Sequence, residues 1–488
     1  MVKKKKGNSN INKNVIFNTV KSAFSIIYPL IAFPYISRVL MTDNVGKVNF
    51  GSSVISYFSL IASLGVTTYA VRECSRVRDD REQLGKTAGE ILSINLVSTA
   101  IAYLALIVVL LFAEPLENYR LLICIQSVSI LFTTLGADWL NTAMEDFKFI
   151  ALRTVSMQIL SLLLMFIFVR KQEDYLLFAF ISVVASSGAN IVNIFYRRKY
   201  CQTRLTWKMG IRRHLAPILL LFSLILSQTI YTNSDMTILG LVKGDYQVGL
   251  YSTSVKIYNL VNTMVASIAW VVMPQLSAGF ARKDYKEINK LLKYSMNFIL
   301  VLGIPCVCGI EIIAPQLIHV IAGEAYVDAA LSLRLLGIAL MCSFISGWIG
   351  NMTMLPAGKE KICLWSSVVS AMVNIVLNLI LIPKWGLNAA AFTTALSEFI
   401  GVLVKLPYID KQIKIDRPGE MLKAPIIGGI GILLLGFAFQ RAAQIPWIIS
   451  ALTILASAAW YLLVLAVTKN EFFMGFAAPV IDRLGRRK

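Results

Sequence analysis

A lysine stands within a long run of apolar and weakly polar residues. Lys256 lies in the stretch YSTSVKIYNL, residues 251–260. An ammonium group in such surroundings needs an anionic partner or water, because burying an isolated charge is costly. Lys21, Asp235 and Glu398 occupy comparable apolar settings. A buried cation can hold an anionic ligand and a buried carboxylate can hold a proton or a cation, so these residues are candidates for binding and ion-coupling chemistry.

The elements that must position these residues are membrane helices. The 488 residues are 57% hydrophobic and 15% charged, whereas soluble domains carry roughly 25% charged residues. Hydropathy predicts about 14 apolar segments, each near the ~20 residues that a helix needs to cross the hydrocarbon. The sequence therefore predicts an all-α polytopic membrane protein.

The basic residues are distributed unevenly among the predicted loops. The formal net charge is +20, and Lys and Arg concentrate in alternate loops such as 72–86 and 197–213, with Lys148 and Arg153 assigned to another loop on the same side. An excess of Lys and Arg marks the cytoplasmic side. The pattern predicts that both termini are cytoplasmic, and it explains the positive charge without nucleic acid.

Few residues suit enzymatic or metal chemistry. The chain has seven cysteines and two histidines, with no CxxC pair and no GxxxxGK[ST] phosphate-binding loop. We therefore expect neither an enzyme nor a metal site, and no organic cofactor. The cysteines fit best as small buried apolar residues.

An internal repeat organises the predicted helices. The segments VGKVNFGSSVISYF from Val45 and VGLYSTSVKIYNL from Val248 each follow a short outside loop and begin a span. An even number of spans separates them, so the two halves share one orientation, with a pseudo-twofold axis along the membrane normal. This predicts two six-helix lobes plus two extra C-terminal helices. The predicted segments are a basic tail 1–13, an N-terminal lobe 14–196, a linker 197–213, a C-terminal lobe 214–409, helices 13 and 14 within 410–467, and a cytoplasmic tail 468–488.

Several segments resemble one transporter family. The stretches FPYISRVLMTDNVGKVNFGSSVISYFSLIASLGVTTYAVRECSRVRDDREQLGK, NSDMTILGLVKGDYQVGLYSTSVKIYNLV, LRLLGIALMCSFISGWIGNMTMLPAGKEK and VNIVLNLILIPKWGLNAAAFTTALSEF are similar to the Wzx-type oligosaccharide flippases. These are polysaccharide transporters in the superfamily that also contains multidrug and toxin extruders. The likeness extends from about residue 14 to 409.

The resemblance implies a substrate and a route. A polyprenyl-diphosphate-linked oligosaccharide would pass from the inner to the outer leaflet of a bacterial inner membrane by alternating access. Its polar head would enter a cavity between the lobes, its lipid tail would stay in the bilayer, and polysaccharide polymerase or assembly proteins would be partners. Such a site needs cations for the diphosphate.

The substrate-binding candidates are basic residues at different depths. They are Lys256, Lys21, Arg38 and Lys47. Lys256 lies near the predicted midplane, where it either meets the diphosphate or forms a packing ion pair with Asp235. Lys21 can also snorkel to the cytoplasmic surface. Arg38 and Lys47 flank the first outside turn, where they either guide the glycan or phosphate or serve as plain interfacial anchors.

The coupling and gate candidates are mostly acidic. Asp235 and Glu398 are expected to carry the H⁺ or Na⁺ of a coupled cycle. A cytoplasmic gate is expected at Arg72 and Glu73, which lie at the inner end of the second predicted span (span two, about residues 45–71).

Three rival functions compete with this interpretation, two of which the resemblance itself implies. A cation-coupled exporter of drugs or other small molecules would favour cavity carboxylates over lysines, so Lys21 and Lys256 argue against it. A flippase for another lipid-linked precursor would share every feature described. A membrane scaffold would need no charges within its spans.

The charge pattern predicts the sidedness of two loops. Single cysteines at Asp79 and Asn44, in a cysteine-free background, should react oppositely with an impermeant thiol reagent in intact spheroplasts. Asn44Cys should be labelled and Asp79Cys protected, because basic loops stay in the cytoplasm. Labelling of Asp79Cys from outside would overturn the topology.

Overall fold

The computed structural model describes residues 2–206, 210–442 and 446–475, and this part of the chain is helical without strands. The contacts form two compact units, and the first contains the helices up to residue 249. The helices are α1 (Val2–Ser63), α2 (Val66–Arg76), α3 (Arg81–Phe112), α4 (Arg120–Gly136), α5 (Trp139–Ala143), α6 (Phe147–Phe168), α7 (Tyr175–Tyr196), α8 (Ile211–Lys243), α9 (Asp245–Ala266), α10 (Ile268–Arg282), α11 (Tyr285–Ala322), α12 (Ala330–Gly347), α13 (Glu360–Trp385), α14 (Leu387–Lys405), α15 (Pro418–Ala442) and α16 (Pro446–Val467).

The all-α membrane architecture is confirmed. Within the described ranges, 11 helices are long and apolar enough to cross a membrane, or up to 12 if the bent pair Asp245–Ala266 and Val271–Arg282 forms one span. The segment Ile16–Arg76 is counted once in that number, although non-helical backbone at Met41 divides α1 into two helices. The expected count of 14 stays a prediction.

Large apolar side chains cover the outside of these helices. Leu104, Leu111 and Phe112 on α3 are 65%, 64% and 79% exposed. Such residues face hydrocarbon in a membrane, where the helix satisfies its own backbone hydrogen bonds. Amphipathicity of the soluble kind is therefore absent from α3, and its buried residues are a mixture of small, polar and large apolar ones.

The contacts divide the chain into two compact units, Met1–Gly249 and Leu250–Lys488. This division groups α8 with the first unit, whereas the sequence assigns the corresponding seventh span, about residues 214–240, to the second lobe. The lobe boundaries stay a prediction. Residues 207–209 of the predicted linker and 476–488 of the predicted tail lie outside the described residues.

The two repeat motifs meet through their glycines, at a contact that lies inside the first unit. A Cβ on Gly46 would clash with the carbonyl oxygen of Asp245, and a Cβ on Gly249 would clash with the carbonyl oxygen of Thr42. Asp245 and Thr42 occupy the same position relative to their own motifs. The contact is therefore reciprocal, as a twofold relation between the repeats would produce.

The linker beyond α7 is held by small residues of α3. A Cβ on Gly85 would lie 2.9 Å from the Gln202 carbonyl oxygen, and one on Gly89 would clash with the Arg204 carbonyl oxygen. One turn further along, Ser93 Oγ accepts a hydrogen bond from the Thr206 amide at 3.0 Å. Glycine at these positions lets the linker backbone lie directly on the helix.

A buried histidine then ties the start of α8 to two other helices. His214 is fully buried, its Nδ1 lies 2.7 Å from the Tyr69 hydroxyl of α2 and its Nε2 lies 3.0 Å from Glu90 Oε2 of α3. The predicted gate residue Glu73 is also buried here and accepts from Arg72 and Arg76. These bonds fix α2, α3 and the start of α8 relative to one another.

We predict that alanine at the motif glycines pushes two helices apart. Gly46→Ala and Gly249→Ala should each lower stability by about 1–3 kcal/mol, the usual cost of overpacking. The double variant should lose less stability than the two single variants together, because one separation of the helices relieves both clashes. Thermal unfolding of the detergent-purified protein measures the effect. Gly309→Ala is the control, since nothing lies within 4 Å of its Cβ position; additive losses would show that the two contacts are independent.

Candidate functional site

A polar cavity of about 890 Å³ lies inside the first unit. Its wall is built from α1 to α8, and more than half of its lining residues have hydroxyl or amide side chains. The polar lining consists of Ser52, Ser56, Ser59, Ser63, Thr67, Asn95, Gln126, Ser129, Thr133, Thr134, Thr154, Ser182, Ser186, Asn190, Thr229 and Asn233. Its charged lining residues are Lys21, Asp138 and Arg153. Such a wall can receive a hydrated, negatively charged group in a bundle that is otherwise apolar outside.

The chain of span two breaks beside this cavity. Leu64 and Gly65 have φ of 45° and 71° between α1 and α2. The carbonyl oxygen of Ala62, freed by the break, accepts hydrogen bonds from Asn95 Nδ2 and Ser98 Oγ of α3, each at 2.6 Å. The break therefore leaves this backbone oxygen satisfied, as membrane burial requires.

The fourth predicted span (span four, about residues 118–142) breaks in the same way. Ala137 has left-handed backbone, φ 48° and ψ 50°, between α4 and α5. The last carbonyl oxygens of α4 are capped from α7 and the residue after it: Asn193 Nδ2 donates to Gly136 O at 2.5 Å, and Arg197 Nη1 donates to Leu135 O at 2.9 Å. Because the helix stops here, Asp138 lies in the short turn between α4 and α5, at the cavity wall.

Arg153 is the partner of Asp138. The charge pattern of the sequence predicts a loop position for Arg153, but the structure places it inside α6 with its side chain only 4% exposed. Its Nη2 pairs with Asp138 Oδ1, its Nη1 donates to Ala189 O at 3.2 Å, and its Cζ lies 5.4 Å from the centre of the Phe149 ring. The signal available in the sequence was an arginine one turn inside an apolar helix.

Lys21 reaches the same cavity from α1. Helices α1 and α6 run in parallel register, because the Tyr35 hydroxyl donates to Val169 O at 2.8 Å and Tyr28, about two turns earlier, lies beside Ser161. Counting back along both helices brings Lys21 level with the Arg153 turn. Two cations of α1 and α6 therefore face one cavity at one depth.

The start of α6 is anchored by hydrogen bonds to Asp146. Asp146 accepts hydrogen bonds from the Phe149 amide at 3.3 Å and from the hydroxyls of Tyr196 and Tyr200 at 2.9 and 2.8 Å. Burial opposes ionisation of Asp146, but the hydrogen bonds from Tyr200 and Tyr196 hold the pKa of its carboxyl below the ordinary value. The anchor fixes the position of the helix that carries Arg153.

The predicted rim and gate residues make local contacts. Arg38 is exposed and donates to Pro34 O at 2.6 Å. Lys47 Nζ lies 5.3 Å from the centre of the Tyr175 ring. Arg72 Nε pairs with the neighbouring Glu73 at 3.2 Å. None of these four residues lines the described cavity.

The deep candidates beyond the cavity lie on three helices. Asp235 is buried on α8 in the first unit, and partly buried Lys256 and Glu398 lie on α9 and α14 in the second. The proposed Asp235–Lys256 ion pair stays a prediction. Lys405 is partly buried at the end of α14. Its Nζ donates to Ser346 Oγ at 2.6 Å, just before the π-helical turn Trp348–Met354.

No group of His, Cys, Asp and Glu in the described ranges could hold a metal ion. The seven cysteines are free thiols.

Comparisons with known proteins identify relatives and a fold. A family model described as "Polysaccharide biosynthesis protein" matches residues 11–280. A candidate O-antigen transporter of Shigella dysenteriae is 22% identical over 81% of this chain and 99% of its own length. The capsular polysaccharide biosynthesis protein CapF of Staphylococcus aureus is 24% identical over 82% of this chain and 99% of its own. The inward closed lipid II flippase MurJ has a TM-score of 0.75 at 17% identity, over 94% of this chain and 99% of its own. The last similarity shows the fold.

We predict that Asn193 stabilises the break in span four. Asn193→Ala removes the donor to Gly136 O and the acceptor of Asn141 Nδ2, which should cost about 1–3 kcal/mol because buried polar groups lose their partners. Thermal unfolding in detergent measures the loss. Asn190→Ala is the matched control, since this asparagine of the same helix lines the cavity without a hydrogen bond in the described part of the chain. Equal losses for both variants would contradict the capping role.

Proposed function

This chain belongs to the polysaccharide biosynthesis protein family, and from that premise we propose that it is a flippase for lipid-linked oligosaccharide. The substrate would be a polyprenyl-diphosphate-linked oligosaccharide, moved from the inner to the outer leaflet for surface polysaccharide synthesis. It is a transporter and not an enzyme. The names of its relatives, a candidate O-antigen transporter and a capsular polysaccharide biosynthesis protein, support this assignment.

The cavity of the first unit is the observation that carries the proposal. A lipid-linked oligosaccharide has a polar glycan and an anionic diphosphate, both of which lose hydration when they enter the membrane. Ser, Thr, Asn and Gln side chains on the wall can replace water for the glycan, and Lys21 and Arg153 can meet the diphosphate. Hydrogen bonds between ionised partners are the strong ones, so the two cations would provide most of the head-group affinity.

The charge of the cavity separates this function from drug export. The lining has two cations and one carboxylate, Asp138. A cation-coupled exporter of cationic drugs would be expected to have the opposite balance. An inward-facing MATE family multidrug transporter shares the fold at a TM-score of 0.58 and 14% identity, so the difference would reside in the cavity residues.

Location, assembly and coupling complete the proposal. The protein is a multi-pass membrane protein, and we place it in the bacterial inner membrane with both termini in the cytoplasm, beside polysaccharide polymerase or assembly proteins. The lobes 14–196 and 214–409 would alternate access to the two faces. Coupling to H⁺ or Na⁺ would use Asp235 and Glu398. The gate on the cytoplasmic side would use Arg72 and Glu73, and the head group would be guided outside by Arg38 and Lys47.

Transport in proteoliposomes tests the function. The purified protein should move a lipid-linked oligosaccharide between leaflets, detected as protection from a soluble glycan-modifying reagent. Lys21→Gln should slow this movement and Lys21→Arg should keep part of it, whereas Lys283→Gln, on the exposed turn after α10, should leave the rate unchanged. Absence of movement by the wild type, or export of a cationic drug instead, would contradict the proposal.

The coupling role has its own test. If Asp235 or Glu398 carries the ion, Asp235→Asn or Glu398→Gln should abolish acceleration by a proton or sodium gradient, since an ion drives the cycle only through a site whose affinity differs between states. Unchanged gradient dependence in both variants would place coupling elsewhere.

We predict that the charge of Lys256 matters more than its packing. Lys256→Gln and Lys256→Ala should reduce flipping roughly tenfold or more, because a hydrogen bond to a charged group contributes about 1.5–3 kcal/mol, while Lys256→Arg should keep part of the rate. The double variant Asp235→Asn with Lys256→Gln distinguishes the two roles. The variants are compared at equal amounts of protein in the membrane. Rescue of flipping by the double variant would show a structural ion pair, and persistent loss of flipping would support diphosphate binding.

A further inference from the structure

We propose that Asp138 is a displaceable counter-ion, which neutralises Arg153 while the cavity is empty and yields it to the diphosphate of the substrate. The proposal rests on the proposed function and deepens it, because it assigns a second role at the same cavity. It makes Asp138 a positioning residue that regulates how tightly the head group is held.

Arg153 is the fixed member of the pair. Its guanidinium is held by Ala189 O and by the Phe149 ring, and its side chain is 4% exposed. Its Nε is buried without a hydrogen-bond partner in the described part of the chain. A planar guanidinium with an unused donor is suited to bidentate recognition of a phosphate. Once Asp138 releases Nη2, the adjacent Nε and Nη2 of Arg153, which lines the cavity, form such a pair of donors.

Asp138 is the member that can move. Its side chain is 41% exposed at the cavity wall, and it lies on the break between α4 and α5 rather than inside a helix. One of its oxygens, Oδ1, receives both Arg153 Nη2 and Asn141 Nδ2, the second at 3.1 Å. Rotation of this side chain into the cavity would break both bonds at once and leave the carboxylate facing water.

The exchange avoids the main cost of a buried charge. Removing one partner from a buried ion pair is strongly destabilising, because the remaining charge is uncompensated. Replacing one anion by another keeps Arg153 neutralised throughout. A diphosphate has more charge than a carboxylate and can reach Lys21 as well, so it competes well for the site. Asp138 then competes for Arg153 again and promotes release of the head group.

Binding of inorganic pyrophosphate to the detergent-purified full chain tests the inference. Asp138→Asn removes the competing anion and should bind pyrophosphate about tenfold more tightly than the wild type by calorimetry, whereas Arg153→Gln should bind it about tenfold more weakly. Asp138→Asn should also flip lipid-linked oligosaccharide more slowly, because release is delayed. Asp79→Asn, an equal charge change on the exposed turn before α3, is the control for net charge.

The outcomes separate this inference from the function itself. Asp138→Ser serves as a second variant if the asparagine protein does not fold. Pyrophosphate affinity that is unchanged or weaker in a folded Asp138 variant, or no pyrophosphate binding to wild type and variant alike, would overturn the counter-ion role even if the wild type flips its substrate. Tighter pyrophosphate binding in a protein whose wild type moves no lipid-linked oligosaccharide would retain the anion exchange and refute the flippase assignment.

Discussion

The backbone must satisfy its own hydrogen bonds wherever water is absent, and the architecture follows from this constraint. Helices meet it along most of the chain. At Leu64–Gly65 and at Ala137 the helices of spans two and four stop, and polar side chains of α3 and α7 cap the freed carbonyl oxygens. Both breaks lie at the cavity of the first unit. The polar cavity and the broken helices therefore depend on each other.

The charged residues of the cavity follow a similar rule. A guanidinium as buried as that of Arg153 is tolerable only beside an anion, and Asp138 supplies it from the broken segment. Lys21 lies level with the pair but has no ion pair or side-chain hydrogen bond among the described residues. The cavity thus has a net positive charge, which suits a diphosphate, together with a resident carboxylate that limits how strongly a diphosphate is retained.

Small residues determine how closely the helices approach. Gly46 and Gly249 allow a reciprocal contact between the two repeat motifs, and Gly85 and Gly89 allow the linker to lie on α3. In lipid, helices associate through such close packing because no hydrophobic force acts between them. The glycines therefore contribute to assembly of the bundle as directly as the polar residues contribute to the cavity.

The sequence by itself determined the class of the protein, because its information is local or compositional. Apolar segments, basic loops, the two Val-Gly motifs and the family likeness are all read along the chain, and so is the unusual position of Lys21. Arg153 and Asp138 were not found, because each is unremarkable in its own segment: one resembles a loop charge beside Lys148, and the other follows Gly136 at a helix end. Only the tertiary structure decided that they form a pair at a cavity, since this depends on where α4 breaks and on the register of α6 against α1 and α7. The position of the break after α4 and the register of α6 are set by packing between helices far apart in the chain, which no local pattern encodes.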